Sequence, residues 1–470
     1  MSATATTEKK YLKWYQKLAY GSGDLASNCS YGLVSSFVLL YLTGTLGLDS
    51  AIIGSLMLAS KVLDGISDVI FGTLIDRTHS KLGKARPWML FGQVGVSLCL
   101  FLLFAIPAGS TTMQYIYFFI VYTALNAVFY TANGIAYSSL VALITKNNNE
   151  RVQLGSFRFM FAVVTNIFMG FAVTGMVEKF GGGAAGWRTT ALIFAIVGLV
   201  VNTISCLAVK ELPEEELGDN TSEAAEEGKA VAEEKKHGFA ETAKILVHNK
   251  YYLMILAIYI VYYIMSNLTT GAGVFCATYY WGDGSLLGQF SMMKMFPVII
   301  ALAIAPVLIK KTGSMQKVNF WGYAISSVLG IPMIYFAMQK NLSMFLLFMF
   351  IKGIFAGTLS GSLNALIAEA SGYTTRTTGI HMDGMMYSCS SLGVKVGGGI
   401  GTAAVGWLLK LGGFVGTATV QSESAIRMIF NLYITFPFVI GIIITVLLAF
   451  LDVEKANKKW DAEHQKEAQA

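Results

Sequence analysis

The sequence predicts an all-α, polytopic membrane protein: twelve transmembrane helices in two pseudo-symmetric six-helix bundles. Three observations carry this. Apolar runs long enough to cross a bilayer, which needs about 20 mostly apolar residues, recur from one end of the chain to the other. Charged residues make up only 13% of the 470 positions, roughly half the share of a soluble domain. A polar segment with ten acidic residues, "ELPEEELGDNTSEAAEEGKAVAEEKKHG", then interrupts the apolar runs midway, with six on each side.

Taken in order, the first span is expected over 24–45, opening on "GDLASN", and the second over 52–75, carrying "KVLDGISDVIFG". The third covers 88–108 and the fourth 113–145, with "VFYTANGIAY" inside it. The fifth, 157–178, starts in "GSFRFMF", and the sixth covers 188–210. These form an N-terminal bundle over 1–210, followed by an acidic cytoplasmic linker over 211–249. A solvated linker explains a segment with no apolar period better than a binding element does. The second bundle, 250–452, holds spans at 250–281, 287–309, 318–338, 343–369, 380–410 and 427–451, before a cytoplasmic tail over 453–470. The last span, "MIFNLYITFPFVIGIIITVLLAFL", is almost free of charge. Several spans exceed the bilayer thickness and should tilt, kink or protrude.

Orientation follows from the basic residues. They cluster in alternate short loops: Arg77, Lys81, Lys84 and Arg86; Lys146 and Arg151; Lys310, Lys311 and Lys317; then Arg376. The opposite loops, "LGLDSA" and "PAGSTTM", carry little positive charge. The positive-inside rule then puts both termini and the linker in the cytoplasm, with the chain in the cell membrane. The N-terminal "MSATATTEKKYLKWYQK" has no apolar core and predicts no signal peptide. Five scattered cysteines without a CxxC spacing suggest packing rather than a disulfide framework or a metal site.

The second span holds the most informative residues. Asp64 and Asp68 stand four apart and project from one helical face. Each costs about 2.5–3.5 kcal/mol at the centre of a spanning helix. Neighbouring carboxylates also resist ionising together unless a cation lies between them. The pair suits Na⁺ or H⁺, and Ser67 on the same helix and Thr131 in the fourth span supply hydroxyl oxygens of the kind hard cations prefer. The bland reading is that Lys61 neutralises one acid and Thr131 merely packs helices; it leaves the second aspartate unexplained. Of the other intramembrane charges, Lys395 lies in "SLGVKVGGGIG", where pairing with an acid competes with a functional role. Arg158 opens the fifth span and either snorkels to the interface or reaches a substrate. His381 and Asp383, in "GIHMDGMMYS", form a candidate gating pair.

After the second span, "GTLIDRTHSKLGKARP" (72–87) resembles, with an insertion, the loop signature of the major facilitator superfamily. There the resemblance implies a conformational latch built on Asp76, Arg77, Gly83, Lys84 and Arg86. The corresponding loop of the second half, "PVLIKKTGSMQK", keeps the basic residues and a glycine but lacks the acid. Two such halves suit a carrier that rocks around a site near the midplane.

The stretches "KLAYGSGDLASNCSYGLVSSFVLLYLTGTLGL", "KVLDGISDVIFGTLIDRTHSKLGKARPWML", "SSLVALIT", "QLGSFRF" and "YSCSSLGVKVGGG" resemble the glycoside–pentoside–hexuronide:cation symporters, the branch containing melibiose permease and the glucuronide carriers. The resemblance implies import of a glycoside coupled to H⁺ or Na⁺, with Asp64, Ser67, Asp68 and Thr131 as the cation site and Asp64 and Asp68 as the Na⁺ ligands if Na⁺ is used. It implies a substrate site with Asp24, Asn28, Tyr137, Arg158 and Lys395. Where galactoside-binding members carry acids, this chain has Asn28 and Gly134, and Ser138 replaces the stacking aromatic, which points to a uronide, pentoside or oligosaccharide. The implied partners are the sugar and the bilayer, with no cofactor, no nucleic acid and a monomeric chain. A sodium-dependent lysolipid-type carrier is the alternative on the same fold. A membrane enzyme is the remote one, since neither HExxH nor GxSxG occurs.

Overall fold

The computed structural model describes residues 9–213, 245–380, 383–418 and 420–467. It is helical throughout these residues, and twelve helical spans follow one another along the chain. Helices α1 (Trp14–Gly21) and α2 (Gly23–Leu40) make the first span, α3 (Ser50–Asp76) the second and α4 (Arg86–Leu103) the third. The fourth joins α5 (Thr111–Thr123) to α6 (Thr131–Ile144); α7 (Asn148–Lys179) and α8 (Gly183–Leu207) complete the first six. Then come α9 (Lys250–Phe275), α10 (Leu286–Thr312), α11 (Met315–Met338), α12 (Leu342–Thr378) and α13 (Asp383–Leu411). The last span joins α14 (Glu423–Phe430) to α15 (Phe436–Phe450), and α16 (Val453–Glu467) follows it. Eleven of these spans are long and apolar enough by composition alone to cross a membrane. The twelfth is α3, whose Lys61, Asp64 and Asp68 set it apart. Its 27 residues still reach about 40 Å at 1.5 Å per residue.

Several helices run past the apolar stretches because their polar first turns are satisfied locally. Helix α7 starts at Asn148, capped by Asn147, whose side chain accepts from the Glu150 amide, instead of near residue 157. Glu150 in turn accepts from the Tyr11 and Leu12 amides and the Thr145 hydroxyl, and pairs with Lys17 at 2.9 Å. Wide π-helical turns end the first and seventh spans, at Tyr41–Thr45 and Cys276–Tyr280, and interrupt the fourth and twelfth, at Ala124–Tyr130 and Asn431–Thr435. Such turns redirect the residues that follow them and recur at functional sites.

The chain forms two compact units. The first comprises 1–219 with 277–288 and 406–425; the second comprises 220–276, 289–405 and 426–470. In the first, α2 packs on α7 and α8, and α4 packs on α6 and α8. Segment 406–425 is fastened to the start of α3. Ser50 donates to the Gly406 carbonyl (2.9 Å), Trp407 Nε1 donates to Ser55 (2.9 Å), and Lys410 pairs with Asp49 at 2.6 Å. A side chain at residue 406 would run into the Ser50 carbonyl, so this approach requires glycine. In the second unit, α11 packs on α12 and α15, and α9 packs on α15.

Each unit contains one acid that clamps the start of its third helix. Glu211, just past α8, accepts from the backbone amides of Lys84, Ala85 and Arg86 at 2.7, 3.0 and 3.0 Å. Glu454, just past α15, accepts from the Ser314 hydroxyl and the Gln316 amide (2.9 Å). The loop before α11 lacks an acid of its own, and Glu454 delivers one from elsewhere in the chain. Carboxylates at helix N-termini satisfy amides that have no partner within the helix.

Candidate cation and substrate sites

Helix α3 places its charges inward. Ile53, Met57, Ser60 and Asp64, spaced four, three and four apart, are buried, and Asp64 is 5% exposed. Val62, Ile66, Val69 and Ile70 cover the opposite face and are 53–73% exposed. Asp64 therefore faces the bundle interior. Asp68 lies half-buried one turn further on.

Thr131 meets Asp64 from α6. Its hydroxyl lies 2.7 Å from Asp64 Oδ1 and 2.9 Å from the Asn126 carbonyl. The π-helical turn at Ala124–Tyr130 ends immediately before Thr131 and sets the residue at the height of Asp64. Ser67 Oγ donates to the Asp64 carbonyl (2.9 Å), leaving its lone pairs available. Thr131 thus reaches the Asp64 carboxylate from another helix, with Ser67 and Asp68 adjacent to Asp64 on α3. Lys61 Nζ also approaches Asp64 Oδ2, at 3.5 Å, and lies 5.7 Å over the Tyr31 ring. The pairing of Lys61 with one aspartate is therefore present.

The expected substrate residues of the first unit also converge. Arg158 Nε donates to Asp24 Oδ2 at 2.6 Å, and its guanidinium lies 4.2 Å over the Tyr137 ring, a cation–π arrangement. Tyr137 donates to the Tyr20 carbonyl (2.8 Å). Asn28 donates to the Asp24 carbonyl (2.7 Å) and accepts from Asn166 (2.8 Å). A side chain added at Gly134 would meet nothing within 4 Å, so α6 presents open space between Thr131 and Tyr137. Those two residues are six apart, about 9 Å along the axis at 1.5 Å per residue. A single helix therefore carries one residue of each candidate site.

This geometry changes the electrostatic reading of Arg158. Its charge is already compensated by Asp24. It is held as a positioned donor and stacking surface.

The remaining expectations fall out as follows. Lys395 lies half-buried on α13 in the second unit, beside Gly393 and Gly397, where added side chains would strike Tyr259 and Ile260. His381 lies outside the described residues, as does the Asp383 side chain, although residue 383 begins α13. In the 72–87 loop, the Lys84 and Arg86 amides bind Glu211, and Arg86 Nε donates to the Cys206 carbonyl (3.2 Å). Gly83 holds φ +109°, and a side chain there would strike the Glu211 carboxylate at 2.3 Å. Asp76 and Arg77 close α3 without joining that cluster. Sequence reasoning missed Glu211, which is submerged in the acidic run, and Asn166, a lone amide inside the fifth span. An intramembrane polar residue is itself a signal, and for Asn166 it was available.

The family model for "MFS/sugar transport protein" matches residues 19–455. The isoprimeverose transporter of Lactiplantibacillus pentosus is 27% identical over 467 residues, covering 98% of this chain and 93% of that one. The glucuronide carrier protein homolog of Escherichia coli (strain K12) is 23% identical over 408 residues, covering 86% and 85%. Among solved structures, a D-xylose-proton symporter superposes with a TM-score of 0.63 at 12% identity, over 94% of this chain and 98% of that one. That last likeness concerns the fold.

Proposed function

The chain belongs to the MFS/sugar transport protein family, in its glycoside–pentoside–hexuronide branch, and from that premise we propose that it is a secondary transporter importing a glycoside together with H⁺ or Na⁺. Its relatives and fold neighbours are transporters. The observation that carries the coupling is the 2.7 Å contact between the Thr131 hydroxyl and the buried Asp64 carboxylate. A buried carboxylate favours a state in which its charge is met; Lys61 lies 3.5 Å away, and a travelling cation adds to it in balancing the charges of Asp64 and Asp68. Helix α6 also carries Tyr137, so occupancy of one site bears on the other through a shared rigid element. Coupling of this kind is reciprocal: the ion favours sugar binding to the degree that the sugar favours ion binding.

The substrate we propose is a small glycoside read by Asn28, Asn166 and Tyr137, with Arg158 as donor. The names of the relatives frame two candidates, a xylose-containing disaccharide and a glucuronide. We place the chain in the cytoplasmic membrane as a monomer with both termini inside. Purified protein in vesicles, given an inward Na⁺ or H⁺ gradient, should accumulate one of these labelled sugars. Uptake of either sugar at the same rate with no ion gradient would refute the coupling.

A further inference from the structure

The second unit contains a cavity of about 180 Å³ lined by α9, α10, α11, α12 and the last span. On the same measure, a single water needs roughly 10–15 Å³, so there is room for a molecule of many atoms. Two lysines reach this cavity, Lys294 from α10 and Lys352 from α12, and its lining contains no Asp or Glu. The two helices cross closely between them: a side chain at Gly353 would strike Pro297 at 2.8 Å. That crossing brings the neighbouring Lys294 and Lys352 to one chamber.

Neither lysine is paired with a carboxylate among the described residues. Lys294 Nζ lies 3.2 Å from the Thr269 hydroxyl and 3.4 Å from that of Thr270, contacts that hold the ammonium without neutralising it. Tyr323, 2% exposed, also lines the cavity, and its buried hydroxyl has no partner among the described residues. Both lysines are half-buried, and a charge drawn away from bulk water is ordinarily paired. Two ammonium groups facing one chamber whose lining holds no carboxylate share a single complement: an oxyanion. The remaining walls are apolar, with Met265, Met293, Met333 and Phe345, so the anion's body is organic.

We propose that this cavity is a binding site for a small organic oxyanion, a carboxylate or sulfonate, held by Lys294 and Lys352. The compensated state of Arg158 makes this the uncompensated positive site of the two described. The anion is either the acid group of the transported glycoside or a separate ligand, and the site stands on its own geometry in both cases.

The test uses the purified full-length protein in chloride-free buffer. Lysines are reductively methylated and read by mass spectrometry, with methyl glucuronide, neutral methyl glucoside, methanesulfonate or sulfate present. Methyl glucuronide and methanesulfonate should protect Lys294 and Lys352, and methyl glucoside should not. Protection by methyl glucuronide alone identifies the glycoside's own acid as the ligand; equal protection by methanesulfonate identifies an independent anion site. Lys352→Met should weaken anion binding about tenfold or more, the scale of one charge-assisted hydrogen bond, and Lys352→Arg should retain it. The proposal is overturned if no anion protects either lysine, or if Lys294→Met and Lys352→Met bind the anions as the wild type does. Should the variants fail to fold, protection in the wild type decides alone. Ion-driven uptake of a neutral sugar by protein whose lysines no anion protects would remove this site and leave the transport reading intact.

Discussion

Replacing Thr131 by valine keeps the shape of the side chain and removes one hydroxyl. That hydroxyl lies 2.7 Å from Asp64 Oδ1, and Thr131 is 6% exposed, so water cannot readily replace it. A hydrogen bond to a charged group contributes about 1.5–3 kcal/mol, which at about 1.4 kcal/mol per decade is roughly tenfold to a hundredfold in ion affinity. The sign depends on the ion. Na⁺ loses an oxygen ligand, so half-saturating Na⁺ should rise by that factor. A proton gains, because the donor that favoured the ionised carboxylate is gone, and half-maximal uptake should move to a lower proton concentration. Thr131→Ser should restore wild-type behaviour in either case. The assay is initial sugar uptake into vesicles over a series of Na⁺ concentrations and pH values. An unchanged ion dependence in folded Thr131→Val protein would refute the placement of the coupling ion at Asp64.

Three further outcomes are expected. Asp68→Asn should abolish accumulation against a gradient while sugar exchange between equal pools persists, measured by counterflow; concentrative uptake by this variant would contradict the site. Gly83→Ala forces a side chain into the Glu211 carboxylate at a backbone angle that suits glycine, and Glu211→Ala removes an acceptor from three amides. Each should cost about 1–2 kcal/mol, the scale of a lost helix cap, as a lowered melting temperature, and the pair should be less than additive because they break the same clamp. Outside the membrane, Asp49 is held below the ordinary carboxylate range, chiefly by its hydrogen bond with the Lys410 side chain and then by the Ala51 and Ile52 amides. A depressed carboxyl stabilises the fold above the ordinary value and loses that contribution as pH falls through its folded value. Thermal stability should therefore decline below about pH 4, and by less in Lys410→Met.

The spans were legible because a bilayer demands long apolar runs, and the acids of α3 because charge inside such runs is costly. The meeting of Asp64 with Thr131, 67 positions away, was reached through family resemblance. Nothing in the local sequence specifies it, because it depends on how α3 and α6 pack. Arg158 shows the limit most clearly. Whether its charge is available depends on Asp24, 134 positions earlier, and no local pattern encodes that pairing. Helix ends were misjudged where side-chain caps extend them, as Asn147 does for α7. Lys294 and Lys352 stood in plain view in "SMMKMFP" and "FMFIKGIF", yet only their convergence on one cavity gives them meaning.

The clasps formed by Glu211 and Glu454 bear on how this chain can be cut. Hydropathy would end the first half near 210 and the second near 452, and a fragment trimmed at either place discards the very carboxylate that closes its ring of helices. Half-molecules produced as separate polypeptides should be less stable, by the scale of a lost helix cap, when the first stops short of 211 or the second short of 454. A purification tag grafted directly after 452 would loosen the second half for the same reason, while leaving every membrane-spanning residue in place.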